Sequence, residues 1–445
     1  MPFPKDFVWG AATASYQIEG TTTSEGCGES IWHRFSHTPG KTRNGDHGDI
    51  ACDHYHRYPE DVQIMSETGL DGYRFSISWP RVIPKGKGDI NPLGLDFYDR
   101  LVDELLKSNI KPFVTLFHWD YPQALQDEGG WANPDSVKWF ADYVDVVTRR
   151  LGNRVKNWIT HNEPWVYSMI GHFYGQHAPG IMDIPIAYKT AHHLLLAHGE
   201  AMPIIRENSE DCQAGITLYT LYAEPATDSE NDKKAALRHD GFINRWFLDP
   251  IFKGQYPADM VEALGENLKD INLDAIKDAS EPIDFLGMNY YTRNKVTWMP
   301  ELLPLQYLPA PLGNVETTAM GWEIYPEGLT KLLVRIHQEY HPKAIYITEN
   351  GAAFDDPPSG GLIVDDPLRE DYLIDHFAAA ESAIDQGVPL KGFFVWSLMD
   401  NFEWAEGFSK RFGLYYVNYE NQARIPKRSA QYYKRKIATE KARAI

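Results

Sequence analysis

The sequence has 445 residues, of which 43% are hydrophobic and 24% are charged, and this composition excludes a disordered or fibrous chain. Its 62 acidic and 43 basic residues give a formal net charge of −19 at pH 7. Because this charge repels phosphate backbones and anionic lipid surfaces, neither nucleic acid nor a membrane is expected as a partner.

Eight short runs rich in apolar or β-branched residues recur along the chain, and such runs are typical of buried strands. Segments with helical periodicity separate most of them. Phe97, Leu101 and Leu105 repeat at four-residue spacing within 96–107, and similar apolar stripes run through 137–151 and 329–336. In chain order, the eight predicted strands are 7–14, 72–78, 112–118, 156–162, 213–219, 283–289, 344–349 and 391–398.

The regular alternation of strand and helix predicts an α/β fold. Eight repeats without a linker rich in Pro, Gly or Ser predict one (β/α)8 TIM barrel with extended βα loops, formed by residues 1–445 as a single domain. A doubly wound sheet is the alternative α/β arrangement. It usually shows a Gly-rich turn after the first strand, but the segment GAATAS at 10–15 lacks the second glycine of GxGxxG.

Polar and aromatic residues collect at the C-terminal ends of the predicted strands, which form the active-site face of a barrel. Two glutamates stand directly at strand ends, Glu163 after the fourth strand and Glu349 at the end of the seventh. Either glutamate alone is more typical of a solvated surface, but packing does not explain polar residues at one edge of so many strands. The other residues at this edge are Gln17, Arg74, His118, Trp119, Asn162, Asn289, Tyr291, Trp396, Glu403 and Trp404.

Five motifs follow one another along the chain: FVWGAATASYQIEG at 7–20, YRFSISWPR at 73–81, NEP at 162–164, ITENG at 347–351 and WSLMDNFEW at 396–404. These motifs resemble those of glycoside hydrolase family 1, the β-glucosidase family. The resemblance implies a retaining exo-β-glucosidase that removes terminal glucose from cellobiose, cello-oligosaccharides and aryl β-glucosides in two displacement steps. It also implies side activity on β-galactosides and β-fucosides, and transfer to other sugars.

The resemblance also implies roles for individual residues. Glu163 is expected to be the general acid/base and Glu349 the nucleophile, with Arg74 and Tyr291 keeping Glu349 ionised. Because Glu349 is negative, Glu163 is expected to hold a proton until Glu349 is esterified, and then to act as the base. The implied glucose contacts are Gln17, His118, Trp119, Asn162, Asn289, Trp396, Glu403 and Trp404, and the implied aglycone contacts are Trp165, Phe173, Trp322 and Phe412.

Two local features accompany these roles. The resemblance implies a cis peptide bond between Trp396 and Ser397. His161 departs from the family pattern, which usually has an apolar residue before Asn162 and Glu163. The simplest interpretation is that His161 packs behind the strand. The alternative is that a protonated imidazole lowers the proton affinity of Glu163 and shifts the acid limb of the pH profile.

No metal or other cofactor is expected. HExxH is absent, and the histidine pairs at 54/56 and 192/193 lack cysteine or carboxylate ligands at a recognised zinc spacing. The expected partner is a small sugar substrate. The three cysteines form no CxxC pair, and neither a secretory signal nor an apolar run of membrane-spanning length is present, which favours a cytoplasmic location.

Three alternative functions fit these residues less well than a glucosidase does. A phospho-β-glucosidase needs a cationic pocket, which Glu403 opposes, although Lys410 leaves this possibility open. A thioglucosidase of this fold is expected to lack the acid, so Glu163 argues against it. An inactive sugar-binding or scaffolding protein on the same fold is expected to lose a carboxylate, whereas Glu163 and Glu349 both stand within intact motifs.

Overall fold

The computed structural model describes residues 3–357 and 361–443. Its strands are β1 (Val8–Ala12), β2 (Gly72–Ser76), β3 (Lys111–Phe117), β4 (Asn157–Asn162), β5 (Gln213–Pro225), β6 (Phe285–Trp298), β7 (Tyr307–Pro309), β8 (Ile345–Asn350), β9 (Leu390–Trp396), β10 (Tyr415–Asn418) and β11 (Ala423–Pro426). Parallel pairing runs from β1 through β2, β3, β4, β5, β6, β8 and β9 and returns to β1. The predicted eight-stranded barrel is therefore confirmed.

Strands β5 and β6 are longer than the sequence pattern predicts. They were expected to end at residues 219 and 289, but they continue past the barrel rim to Pro225 and Trp298. Above the rim they still pair with each other, and β7 adds to the edge of β6 in antiparallel fashion. Hydrogen bonds within this ribbon replace those to the barrel neighbours, so the strands need no continuous apolar run to persist.

The helices surround the barrel and occupy its loops. They are α1 (Ser15–Ile18), α2 (Ile31–Ser36), α3 (His54–Thr68), α4 (Trp79–Val82), α5 (Pro92–Lys107), α6 (Gln123–Gln126), α7 (Ser136–Leu151), α8 (Ile184–Asn208), α9 (Glu230–Asp240), α10 (Trp246–Lys253), α11 (Ala258–Leu264), α12 (Pro326–Tyr340), α13 (Pro367–Asp385) and α14 (Arg428–Arg443). The three predicted helices lie within α5, α7 and α12 and bury their apolar stripes. None of the described helices has both the length and the apolar character that a membrane crossing requires.

Aromatic side chains fill the lower part of the barrel. The ring of Phe113 lies 4.8 Å from that of Phe394 and 5.4 Å from that of Tyr346. Gly10 makes this layer possible, because a Cβ atom there would lie 2.4 Å from the Phe394 ring. The barrel below the loops is thus a packed core, and its upper end is left to carry the polar strand ends.

A buried ion-pair cluster fixes the loop that follows β9. Nζ of Lys427 lies 2.6 Å from Oδ1 of Asp400 and also contacts Asp356. Arg411 binds the other oxygen of Asp400 at 2.6 Å, and Arg369 binds Asp356 at 3.0 Å. The loop that carries Glu403 is therefore tied to the C-terminal helix and to α13.

Candidate active site

A cavity of about 770 Å³ opens at the C-terminal end of the barrel strands. Glu163 from the end of β4 and Glu349 from β8 both line it. Of the other residues singled out from the sequence, the cavity wall includes His118, Trp119, Trp165, Tyr291, Trp322, Trp396, Glu403, Trp404 and Phe412. Residues at or just after the C-terminal ends of β3, β4, β6, β8 and β9 therefore meet at one site, as expected for a barrel.

Arg74 lies behind this wall and connects β2 to both glutamate-bearing strands. Its Nη1 donates a hydrogen bond of 2.5 Å to Oε1 of Glu349, and its Nη2 donates one of 2.6 Å to Oδ1 of Asn162. The hydroxyl of Tyr291 donates a bond of 2.7 Å to Oε2 of Glu349. Each oxygen of the Glu349 carboxylate therefore accepts a hydrogen bond from a buried donor, which orients it and favours its ionised form.

Glu163 is held by a different partner. Nδ2 of Asn289 donates hydrogen bonds to Oε1 of Glu163 at 2.8 Å and to Oδ1 of Asn162 at 3.0 Å. Oδ1 of Asn289 accepts a bond of 2.7 Å from the hydroxyl of Thr348, which fixes the orientation of the amide. Unlike Glu349, Glu163 has no cationic group in contact with it among the described residues. The two carboxylates therefore share a cavity but have unequal surroundings.

This inequality decides which glutamate holds a proton. Burial, followed by the charge of Glu349, raises the pKa of Glu163 well above its ordinary value. Burial also raises the pKa of Glu349, but Arg74 and Tyr291 oppose that increase. We therefore place the shared proton on Glu163 and the negative charge on Glu349, the division expected of an acid and a neighbouring nucleophile.

Three pairs of neighbouring residues take part in the site through an unusual backbone conformation. Side chains alternate between the two faces of a strand, so consecutive residues do not normally reach the same cavity. The second member of each pair has a positive φ, which turns the chain at that residue. These pairs are His118 with Trp119 (φ 79°), Asn162 with Glu163 (φ 47°), and Glu403 with Trp404 (φ 49°). Both members of 118/119 and of 403/404 line the cavity, whereas Asn162 lies behind it and bonds to Arg74 and Asn289.

The remaining candidate glucose contacts form one wall of the site. His118 accepts a hydrogen bond of 3.0 Å at Nε2 from Asn162, and burial holds its pKa well below the ordinary value, so the ring is neutral. Its Nδ1 and Oε1 of Gln17 are buried without a partner among the described residues. Nε2 of Gln17 lies 3.4 Å from Glu403, and enclosure together with the charge of Glu349 raises the pKa of Glu403 to about 8. Unpaired buried polar atoms beside a cavity are suited to sugar hydroxyls.

The candidate aglycone residues divide between two connected spaces. Trp165, Trp322 and Phe412 line the main cavity, as expected. Phe173 instead lines a neighbouring cavity of about 600 Å³, which shares Trp165 and Tyr219 with the first and is bounded on its far side by residues 302–305 and 307–309. Phe173 was grouped with the other three because sequence position does not reveal how a long loop folds back.

The comparisons with known proteins agree with this architecture. A family model described as glycosyl hydrolase family 1 matches residues 1–442. The chain belongs to glycosyl hydrolase family 1. It is 51% identical over 436 residues to β-glucosidase A of Thermotoga maritima, covering 97% of this chain and 96% of that protein. A 1,4-β-D-glucan glucohydrolase of Thermotoga neapolitana is also 51% identical, with 97% of both chains covered.

Solved structures of family 1 enzymes match as well. The Thermotoga maritima family 1 glycoside hydrolase, complexed with a cyclophellitol analogue described as a transition-state mimic, superposes with a TM-score of 0.96. It is 50% identical, and the match covers 99% of this chain and 98% of that one. The expected family membership, barrel fold and glycosidase class are confirmed. The cis peptide bond implied by the family resemblance is also present between Trp396 and Ser397.

The family 1 site includes residues that the sequence reasoning did not select. Tyr219 ends the predicted fifth strand, lines the main cavity and stacks on Trp165 with ring centroids 5.3 Å apart. The strand-end rule alone would have found it. His177 also lines the cavity, near Trp119, but it lies in the loop after β4, where no pattern pointed to it. Thr348, one residue before Glu349, was missed because a threonine within a strand looks ordinary.

His161 lies on the outer face of β4 and not in the site. Its ring stacks on Phe140 of α7 at 4.6 Å and lies within 6 Å of the rings of Phe117 and Trp131. Burial holds the pKa of His161 well below its ordinary value, so the imidazole is neutral near pH 7. This environment favours the packing interpretation over the charged one.

Proposed function

We propose that this family 1 enzyme is a retaining exo-β-glucosidase, with Glu349 as nucleophile and Glu163 as general acid/base. One observation carries the proposal: the carboxylates of Glu163 and Glu349 are buried in the same cavity, and of these two only Glu349 contacts a cationic side chain among the described residues. A retaining glycosidase needs one ionised and one protonated carboxyl group on the two sides of the scissile bond.

In the first step, an oxygen of Glu349 attacks the anomeric carbon and forms a glycosyl ester. The bond from that carbon to the glycosidic oxygen breaks, and the departing oxygen takes the proton from Glu163. Arg74 and Tyr291 hold the Glu349 carboxylate in place by their hydrogen bonds. The aglycone leaves as a neutral alcohol.

Esterification removes the charge of Glu349, one of the two main causes of the raised pKa of Glu163. Glu163 is then ionised and can accept a proton. It takes one from a water molecule, whose oxygen attacks the anomeric carbon and displaces Glu349. Two inversions give net retention at the anomeric carbon. A second sugar in place of water gives transglycosylation.

The proposed substrates are cellobiose, short cello-oligosaccharides and aryl β-glucosides. The names of the relatives, β-glucosidase A and 1,4-β-D-glucan glucohydrolase, support this choice. We propose that Glu403 accepts hydrogen bonds from hydroxyls of the bound sugar, with Trp396 beneath the ring. β-Galactoside and β-fucoside hydrolysis are proposed as side activities, because galactose differs from glucose only in the configuration at carbon 4, and fucose differs from galactose only by the missing hydroxyl on carbon 6. A cytoplasmic location stays a prediction.

The contacts of Lys410 weigh against the phosphoglucosidase alternative. Its Nζ donates a hydrogen bond of 2.6 Å to the backbone carbonyl of Ala319. We place carbon 6 of the sugar near Glu403, which lines the cavity and, whether protonated or ionised, offers a phosphate no positive charge. A hydroxyl on carbon 6 fits this position better than a phosphate does.

The test measures release of nitrophenol from p-nitrophenyl β-D-glucoside, with the first glucose anomer followed by NMR. The parent chain should hydrolyse the substrate and release β-glucose first, and Glu349→Gln should lose nearly all activity. With azide, Glu349→Gly should form the α-glucosyl azide. Release of α-glucose first would contradict retention, and an unchanged rate in Glu349→Gln would contradict the nucleophile.

Glu440→Gln serves as a matched control. Glu440 is a buried glutamate on α14 whose Oε1 accepts a hydrogen bond from Lys436, away from the cavity. Its replacement should leave hydrolysis of the nitrophenyl glucoside within about twofold of the parent. If the parent itself bound cellobiose without hydrolysing any glucoside, the chain would be an inactive sugar-binding protein.

A further inference from the structure

Three histidines surround one carboxylate between α2 and α3. Nδ1 of His33 lies 3.3 Å from Oδ1 of Asp49, and Nε2 of His37 lies 3.1 Å from Oδ2 of the same carboxylate. Nδ1 of His47 is 3.4 Å from that second oxygen. We call these four residues, His33, His37, His47 and Asp49, the histidine cluster. None of them lines the active-site cavity.

The distances in the cluster are those of a metal coordination sphere. Ligand atoms from His33, His37 and Asp49 all lie within 4.8 Å of one another. In a tetrahedral zinc site with bonds of about 2.0–2.1 Å, neighbouring ligand atoms are roughly 3.4 Å apart. The imidazole-to-carboxylate distances of 3.1–3.4 Å match this spacing, and the two imidazoles would have to draw closer by side-chain rotation to complete the site.

The hydrogen bonds of His37 prepare one of its nitrogens for a metal. Nδ1 of His37 lies 2.7 Å from the backbone carbonyl of His33 and can contact that oxygen only as a donor. Nε2 of His37 lies 3.1 Å from Oδ2 of Asp49 and, without a metal, can contact that carboxylate only as a donor. A metal ion would take the place of the proton on Nε2, while Nδ1 keeps its bond to the carbonyl of His33. Metal-binding histidines commonly use their second nitrogen in this way. Because His33 and His37 are four residues apart at the end of α2, they project from one face of the helix.

The hydroxyl of Thr22, which bonds to His33 and Asp49, would have to give way to a metal ion, but no basic side chain of the same segment competes for the cluster. The basic side chains in the same segment have other partners: Lys41 lies over the ring of Phe35, and Arg43 pairs with Glu406 at 2.8 Å. An ionised carboxylate beside half-exposed imidazoles is accessible to an ion from solvent.

We propose that His33, His37 and Asp49 bind one Zn²⁺ ion, with His47 as a fourth ligand. Two or three imidazoles with one carboxylate form a ligand set that suits zinc and related transition metals, whereas Ca²⁺ and Mg²⁺ prefer oxygen ligands. The sequence-based expectation of no metal overlooked this set. His33 and His37 have helical spacing, but their carboxylate partner lies twelve residues further along the chain, outside any recognised zinc motif.

The ion would fasten a segment that also contacts the glucose side of the site. Between His37 and Asp49 the chain carries Arg43, which pairs with Glu406, and Asp46, whose carboxylate accepts a hydrogen bond of 2.9 Å from the backbone nitrogen of Phe408. Both partners belong to the loop that contains Glu403. The proposed role of the ion is therefore structural: it ties this segment to α2 and stabilises the cavity wall without taking part in hydrolysis.

The test uses the full chain with any affinity tag removed, since a polyhistidine tag binds zinc itself. After treatment with chelator and dialysis, Zn²⁺ is titrated calorimetrically, and thermal unfolding is recorded with and without the ion. The parent should bind close to one equivalent, and saturating Zn²⁺ should raise Tm by about 3 °C. Mg²⁺ at the same concentration should neither bind measurably nor raise Tm.

His37→Gln and Asp49→Asn should each weaken Zn²⁺ binding at least about tenfold and remove the Tm increase. His56→Gln is the matched control, because His56 is an exposed histidine that pairs with Asp53 outside the cluster, and it should bind like the parent. His33→Gln replaces either cluster variant that does not fold. Uptake well below one equivalent by the parent, or equal affinity in the cluster variants, would overturn the proposal.

Discussion

Nη1 of Arg74 lies 2.5 Å from Oε1 of Glu349, and both side chains are almost completely buried. The Arg74 guanidinium is the positive group that contacts the Glu349 carboxylate, and Glu349 lines the same cavity as Glu163 and Glu403. Because Nη2 of the same guanidinium binds Asn162, the position of the proposed nucleophile is coupled to the end of β4, directly before Glu163. The Arg74 side chain therefore both supplies the positive charge beside Glu349 and fixes the position of its carboxylate.

Replacing Arg74 by methionine should raise the pKa of Glu349, because the positive charge that opposes the effect of burial is lost. Activity requires ionised Glu349, so the acid limb of the kcat/KM profile should move to higher pH, and kcat/KM at its optimum should fall about 100-fold or more. Arg74→Lys keeps the charge but cannot contact Glu349 and Asn162 together. Arg74→Lys should have a lower kcat/KM than the parent, while the acid limb of its kcat/KM profile stays close to that of the parent. An unmoved acid limb in Arg74→Met would contradict the electrostatic role.

Glu403→Gln should reduce discrimination between β-galactosides and β-fucosides at about pH 9, above the raised pKa of Glu403 of about 8, where its carboxyl group is ionised. Fucose is galactose without the hydroxyl on carbon 6, so removing a charged acceptor near this position should harm β-galactoside hydrolysis more than β-fucoside hydrolysis. A hydrogen bond to a charged group contributes about 1.5–3 kcal/mol, or roughly 10–100-fold in kcat/KM. Kinetics on the two nitrophenyl glycosides measure the ratio. Equal losses on both substrates would place Glu403 away from that hydroxyl.

His161→Phe should leave the pH profile of hydrolysis unchanged. The imidazole is neutral and stacked on Phe140 behind β4, so it contributes no charge to Glu163 near neutral pH. The replacement is close in volume and should change the free energy of unfolding by less than about 1.5 kcal/mol. A shift of either limb by more than the experimental scatter would restore the hypothesis of a charged His161.

Lys427→Met should destabilise the fold by about 3–5 kcal/mol, because Asp356 and Asp400 lose the ammonium group buried between them. Lys441→Met, which removes a half-exposed partner of Asp71, should cost at most about 1 kcal/mol. Urea unfolding of the three chains measures the difference. Similar midpoints for both variants would show that the cluster adds no stability.

The same cluster predicts how stability depends on pH. Burial would raise the pKa of Asp400, but Lys427 and Arg411 outweigh it and hold that pKa below its usual value. A depressed carboxyl pKa stabilises the folded state above the pKa of the unfolded chain, about 3.9, and this contribution is lost as the pH falls further. Lys427→Met should therefore show a weaker loss of stability than the parent between pH 5 and about pH 2.

Much of the fold and of the site could be predicted because both depend on local patterns. Apolar runs located all eight barrel strands, and the rule that active groups lie at C-terminal strand ends located Glu163 and Glu349. The family motifs then indicated the other candidate residues of the site. These signals are local in sequence, and the barrel converts them into proximity by placing every strand end on one face.

The features that the sequence did not predict depend on contacts between segments that are distant along the chain. The hydrogen bond from Thr348 to Asn289, the extension of β5 and β6, and the separate cavity beside Phe173 each require knowledge of how two loops or strands meet. The histidine cluster is a similar case, because Asp49 returns to α2 through a loop whose path no periodicity describes. Residue type alone could not distinguish these groups from ordinary surface or core residues.

The left-handed conformation of Glu163 has a thermodynamic consequence that is independent of chemistry. Any residue with a Cβ atom pays about 1 kcal/mol or more to hold a φ of 47°, whereas glycine adopts it freely. Alanine normally stabilises a chain relative to glycine, but at this position the order should reverse, with Glu163→Gly unfolding at a higher temperature than Glu163→Ala. Selection for the proposed acid/base role would then have kept an unfavourable backbone conformation at residue 163, and calorimetry of the two variants measures its cost directly.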